Sequence, residues 1–166
     1  MTVFETPRLR LRCIDEQDAA VVLAALNDPD FVRQVRDIGL RSEADAVAHI
    51  RERILPHYAA NGFGFWLVTR RDDGAALGLC GLFRRDGLPD VDVGYVFLPA
   101  ARGHGYAQEA ARGCIDYGRR VLGLPRVVAY ITPGNAASAA VLRGAGLRSQ
   151  GLMAFPGDDA PAEWFA

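Results

Sequence analysis

The stretch from Val91 to Leu122 constrains this chain more than any other. Val91-Asp92-Val93-Gly94-Tyr95-Val96-Phe97-Leu98 carries the β-branched and aromatic residues of a strand, and Pro99 closes it. After Arg102-Gly103-His104-Gly105-Tyr106, apolar or small residues recur at Ala107, Ala110, Ala111, Cys114, Ile115, Gly118, Val121 and Leu122, on one face of a helix. Glu109, Arg112, Asp116, Arg119 and Arg120 fall on the other side, and Gly123 and Pro125 are stop signals. A strand, a glycine turn and an amphipathic helix in succession demand a sheet on which that helix can lie.

The rest of the chain supplies the other parts of such a layer. Arg8-Leu9-Arg10-Leu11-Arg12 alternates charge with leucine and is read as the first strand. Asp15-Glu16-Gln17-Asp18 is an acidic first turn ahead of an apolar helix from Ala19 to Leu26, which Asp28-Pro29 ends or kinks. Ser42-Glu43-Ala44-Asp45 resembles a capping box, and Val47, Ile50, Ile54 and Leu55 predict a second helix to about Ala60. Residues 62–69 and 77–83 flank the turn Asp72-Asp73-Gly74 and form a hairpin. Arg126 to Thr132 is a further strand, Asn135 to Arg143 a short helix, and the tail around Pro156-Gly157-Asp158-Asp159 a last hairpin. With no linker and no repeat, 166 residues make one domain, 1–166, of mixed α/β or α+β type: one sheet covered by helices.

All nineteen basic residues are arginine. Without lysine the chain cannot build a Walker-type phosphate loop or a protein Schiff base with pyridoxal phosphate. A net charge of −1 with dispersed arginines gives no basic stripe for nucleic acid. Cys13, Cys80 and Cys114 are odd in number and widely spaced, and His49 and His57 lack a third ligand, so no metal site is expected. No apolar run approaches the ~20 residues that span a bilayer. The residues after Met1 lack signal-peptide character, so a cytoplasmic location with no membrane partner is expected.

Gly103 and Gly105 admit two readings. They can do no more than turn the chain, or they can let the backbone approach an anion held by free N–H groups at the helix start. A dinucleotide fingerprint is disfavoured, because its third glycine or alanine position is Gln108.

Gly94 to Pro99 followed by Arg102-Gly103-x-Gly105-Tyr106-Ala107-x-Glu109-Ala110 is similar to the coenzyme-binding segment of the GNAT acetyltransferase superfamily. Asn135-x-x-Ser138 and Val141-Leu142, ending in Gly146-Leu147, look like its second motif. Thr6-Pro7-Arg8-Leu9-Arg10-Leu11-Arg12 and Gly64-Phe65-Trp66 resemble the branch that acetylates ribosomal-protein N-termini. The likeness covers nearly the whole chain. It implies a GNAT fold: one mostly antiparallel sheet of six to seven strands, splayed at its centre between 91–98 and 126–132 and covered by about four helices.

The resemblance also implies a chemistry. Acetyl-CoA is the cosubstrate. The N–H groups of Arg102, Gly103, His104, Gly105, Tyr106 and Ala107 hold its diphosphate. Phe97 and Leu98 pair by their backbones with the pantetheine arm, and the Phe97 N–H donates to the thioester oxygen. Asn135 matches the position that bonds the arm, and it is equally a helix N-cap.

Asp92 stands where relatives often carry Glu and is the candidate base; as a plain alternative it is a solvated strand residue. The tyrosine that serves some relatives as acid is replaced by Leu142. Ser138 is the substitute, unless it only bonds its own backbone. Tyr95, Tyr106 and Tyr130 are read as packing residues. The implied activity is acetyl transfer to a primary amine, on a protein N-terminus or a small molecule. The alternative is a non-catalytic acyl-CoA-binding module of the same fold. The acceptor pocket is expected from 35–41, 61–65 and the tail hairpin, and a homodimer is left open.

Overall fold

The alternation from Arg8 to Arg12 buries Leu9 and Leu11 completely and leaves Arg10 exposed. Strands of this kind join one sheet in the computed structural model, which describes residues 1–166. In chain order the elements are β1 (Thr2–Glu5), β2 (Leu9–Cys13), α1 (Ala19–Leu26), α2 (Pro29–Gln34), α3 (Glu43–His49) and α4 (Leu55–Asn61). They continue with β3 (Phe65–Arg70), β4 (Ala76–Phe83), β5 (Val91–Phe97), α5 (Tyr106–Arg120), β6 (Val127–Ile131), α6 (Ala136–Gly144), β7 (Ser149–Ala154) and β8 (Pro161–Phe165). The sheet runs β1-β2-β3-β4-β5-β6-β8-β7. Every neighbouring pair is antiparallel except β5 and β6.

The sheet thus has eight strands, where the sequence predicts six to seven. The addition is β1, a four-residue edge strand with half-buried Val3 and Phe4, too short to show a period. Phe4 stacks on Tyr117 of α5 at 5.1 Å and meets Trp66 edge-on at 5.9 Å, which fixes this edge to the layer above it.

Two prolines reshape the predicted helices. α1 ends at Leu26, just ahead of Asp28-Pro29 as expected, and Pro29 also starts a further helix, because its missing N–H costs nothing at a first helical position. The Asp28 carboxylate caps that helix by accepting from the N–H groups of Asp30 and Phe31. In the helix predicted to run from the Ser42 cap to about Ala60, Pro56 cannot donate to the turn before it. Ile50–Ile54 accordingly widens into a π-helical turn, in which the Leu55 N–H reaches Ile50 O, and the chain resumes as α4. Where about four helices are expected, six segments form.

The sheet separates two apolar layers. Val91, Val93 and Phe97 of β5 pack with Ala110, Ala111, Cys114 and Ile115 of α5 and with Leu142 of α6. On the opposite face, Leu67, Leu79 and Val96 pack with Val22, Ala25, Ala46 and Ile50 under α1 and α3. Successive strand residues point to opposite faces, so β5 serves both layers. Val121, read as part of the buried face of α5, is exposed, because the helix ends at Arg120.

Candidate active site

β5 and β6 pair in parallel at Val91 with Val127 and at Asp92 with Val128, and nowhere further along. Beyond Asp92 the sheet opens. The Leu98 N–H donates to Leu77 O at 2.9 Å, so alternation along an antiparallel ladder turns the N–H groups of Tyr95 and Phe97 away from β4, toward the opening. Leu98 is spent on the fold, since its carbonyl also accepts from Ala101 N. Of the two strand residues read as partners for a bound arm, only Phe97 keeps its N–H free. Its carbonyl accepts from Arg102 Nε at 3.0 Å.

A turn of chain past Pro99 follows β5, the strand that borders this opening. Gly103 and Gly105 have φ of +81° and +79°, a conformation in which other residues are strained by roughly 1–2 kcal/mol each. Alternating left-handed residues fold successive N–H groups into a concave nest for an anion. The N–H groups from Gly103 to Gln108 donate to no protein atom, and the first helical bond here is Glu109 N to Gly105 O. Gln108 thus joins the set and Arg102 leaves it, because the Arg102 N–H closes a tight turn onto Pro99 O.

The Arg102 side chain is a strut. It reaches Asp28 at 2.8 Å and Asp30 at 2.7 Å, tying the start of α2 to the loop. Burial raises the Asp28 carboxyl, but the Arg102 guanidinium and the α2 N–H groups more than reverse this and hold it below its ordinary 3.8.

Asp92 sits at the apex where the strands part. It is 2% exposed, and both its oxygens are held by Arg85, at 2.8 and 3.1 Å. The reading as a solvated strand residue is therefore overturned. Burial pushes its carboxyl above the ordinary 3.8, and Arg85 and the more distant His57 oppose that rise without cancelling it. A buried carboxylate with a raised pKa is a better proton acceptor than a surface one.

Asp92 and Phe83 are cross-strand partners, and Phe83 also meets Phe65 at 4.9 Å and the Arg85 guanidinium at 4.8 Å. His57 props this wall: its Nδ1 pairs with Phe63 O at 2.8 Å, and its Nε2 accepts from the Arg84 N–H at 3.2 Å.

Across the opening, Asn135 caps α6 by accepting from the Ser138 N–H at 3.2 Å, and its amide nitrogen has no protein partner. The Ser138 hydroxyl is half-buried and makes no hydrogen bond to its own backbone or to any other group. The Ser138 carbonyl accepts from the Tyr95 hydroxyl at 3.2 Å, so Tyr95 ties β5 to α6. Burial pushes the Tyr95 phenol up to about 12, and it stays protonated as a donor. Tyr106 is buried under Arg8, and Tyr130 meets Phe155 edge-on at 5.4 Å, both as packing residues. No three His, Cys, Asp or Glu side chains converge to hold a metal ion.

The mixed sheet that splits between β5 and β6 places the chain in a class, since solved acetyltransferases share this fold. Residues 8–148 match the family model described as an acetyltransferase (GNAT) domain. The uncharacterised protein YkkB of Bacillus subtilis (strain 168) is 32% identical over 149 residues, 88% of this chain and 85% of that protein. An acetyltransferase from Agrobacterium tumefaciens str. C58 superposes with a TM-score of 0.82 at 23% identity, covering 100% of this chain and 94% of its own. RimL, a ribosomal α-N-protein acetyltransferase solved in complex with coenzyme A, superposes with a TM-score of 0.72 at 17% identity, over 99% of this chain and 96% of its own. The chain belongs to the GNAT acetyltransferase family.

Proposed function

We propose that residues 1–166 act as one catalytic domain that transfers the acetyl group of acetyl-CoA directly to a primary amine. The observation that carries this reading is the run of unpartnered N–H groups, Gly103 to Gln108, just past the end of β5, the strand that parts from β6 beyond Asp92. The nest fits a diphosphate, the gap fits an extended arm, and the Asn135 amide nitrogen is free to bond that arm. Bound acetyl-CoA supplies an acyl group activated as a thioester.

The residues of the chain do the rest. Counting about 3.3 Å per strand residue, the Asp92 Cα lies roughly 16 Å from that of Phe97 and roughly 10 Å from that of Tyr95. An acyl oxygen held at the Phe97 N–H is thus beyond the direct reach of Asp92, and the Tyr95 N–H, next along the same edge, is the nearer donor. Such a donor is typically worth ~2.7–4 kcal/mol of transition-state stabilisation. As the amine nitrogen bonds to the acyl carbon and the carbon–sulfur bond breaks, Asp92 takes the amine proton through water. The free Ser138 hydroxyl donates a hydrogen bond to the departing sulfur, which takes its proton from water, an aid of limited size because a thiol with pKa near 8.5 is already a fair leaving group.

An α-amine, with pKa about 7.7–8.0, suits this modest base better than a lysine side chain at about 10.4. That favours a protein N-terminus or a small α-amine as acceptor. The partly exposed Phe65 and Phe83, with the β7–β8 turn at Phe155 and Pro156, form the surface proposed to receive it.

Purified protein incubated with acetyl-CoA and a panel of peptides with free α-amines, small amines and lysine peptides should release free thiol, fastest with the α-amines. Coenzyme binding without thiol release on any acceptor would instead indicate an acyl-CoA-binding module, with Asp92 locked by Arg85 for structure alone.

A further inference from the structure

Arg8 lies far from the coenzyme motif in sequence, yet the fold places it against the same loop. Its Nε bonds Glu109 Oε1 at 2.7 Å, its Nη1 bonds His104 O at 2.8 Å, and its guanidinium covers the Tyr106 ring at 4.6 Å. Glu109 is itself fixed by the Thr6 hydroxyl at 2.5 Å and by the Arg8 N–H at 2.9 Å. The remaining nitrogen, Nη2, has no protein partner. It would stand 3.4 Å from a Cβ built on Gly105, beside the open N–H groups.

A half-exposed arginine held by one carboxylate contributes little to stability. Holding a long side chain at several points costs conformational entropy. The arrangement leaves one charged donor aimed beside a nest that already favours an anion, and a guanidinium is well suited to phosphate oxygens. By binding the His104 carbonyl, Arg8 also turns that peptide so that its oxygen points away from the anion.

We propose that Arg8 is a phosphate-binding residue of this site, its Nη2 donating to a phosphate group of the coenzyme while Glu109 and Thr6 hold the guanidinium in place. This rests on the reading of the loop as the acetyl-CoA site.

Calorimetric affinities for coenzyme A and for 3′-dephospho-coenzyme A, measured at several salt concentrations, test it. Arg8→Gln keeps a polar side chain of similar reach without the charge, and Arg8→Lys keeps the charge; both are to be checked for wild-type urea stability. Arg8→Gln should bind coenzyme A about tenfold more weakly, with a shallower salt dependence, and Arg8→Lys should recover most of the loss. A loss shared by both ligands puts Arg8 on the diphosphate, and a loss confined to coenzyme A puts it on the 3′-phosphate. Wild-type affinity in Arg8→Gln, or an equal loss in both variants with the salt dependence unchanged, overturns the proposal while leaving the coenzyme site standing. Failure of the wild-type protein to bind either ligand removes the site itself.

Discussion

Asp92 shows how one residue can be both a functional group and a stability cost. Because its folded pKa is raised, its contribution to stability is full below the unfolded value and is lost as pH rises through the folded one. Asp92→Asn should therefore unfold at a higher urea concentration than wild type, by a margin that grows as pH rises above the ordinary carboxylate value of 3.8. The same change should lower kcat roughly 100-fold at pH 7 with coenzyme affinity intact. The loss should shrink at pH 9, where an α-amine is already neutral. A pH-independent loss would remove Asp92 as the base. The motif identified the position; its burial and its pairing with Arg85 were hidden, because the two residues meet only once β4 and β5 turn back on each other.

Two of the contacts that join the elements carry measurable consequences. Asp28 caps α2 and pairs with Arg102 while almost fully buried. Asp28→Ala should cost about 2–3 kcal/mol in chemical denaturation, beyond the ~1 kcal/mol of a cap alone, because the strut to the glycine loop past Pro99 goes with it. Glu109 and Asp28 both have carboxyls held below their ordinary values, Glu109 by Thr6 and Arg8 against the opposing effect of burial. Their stabilisation is complete above the ordinary 4.5 and 3.8 and is lost as pH falls through the folded values. Acid should thus loosen the glycine loop past Pro99 and α2 together, seen as increased amide exchange there below about pH 4.

Gly81 joins β4 to the start of β3 at a different kind of contact. A Cβ there would lie 2.0 Å from Gly64 O, the acceptor of the Leu82 N–H. Gly81→Ala should destabilise by about 3 kcal/mol or more, measured as a fall in the urea midpoint. The strand at Leu9–Cys13 and the long helix α5 could be read from period, and most other strands from their apolar and aromatic residues and the turns that flank them. β1 and the break between α3 and α4 could not, because four residues show no period and a proline inside a helix signals a defect without saying how the chain absorbs it.

Across the whole molecule the sheet decides what solvent can reach. Cys80 and Cys114 lie 3.6 Å apart between β4 and α5, fully buried, and burial holds the Cys114 thiol well above its ordinary value. Cys13 is half-exposed. A thiol reagent should modify one cysteine in the native protein and all three in denaturant; modification of Cys80 or Cys114 at the rate of Cys13 would show that the α5 layer opens readily. The sequence by itself determined the order of most elements, the glycine turn at 103–105 and the family, since period, glycine and motif spacing are written along the chain. Only the tertiary structure decided that Arg8 and Glu109 frame that turn, that Arg102 spends its N–H on the fold, and that Asp92 is buried at the apex. Each of these is a meeting of residues distant in sequence, or a backbone bond fixed by neighbouring strands, and local pattern carries no record of either.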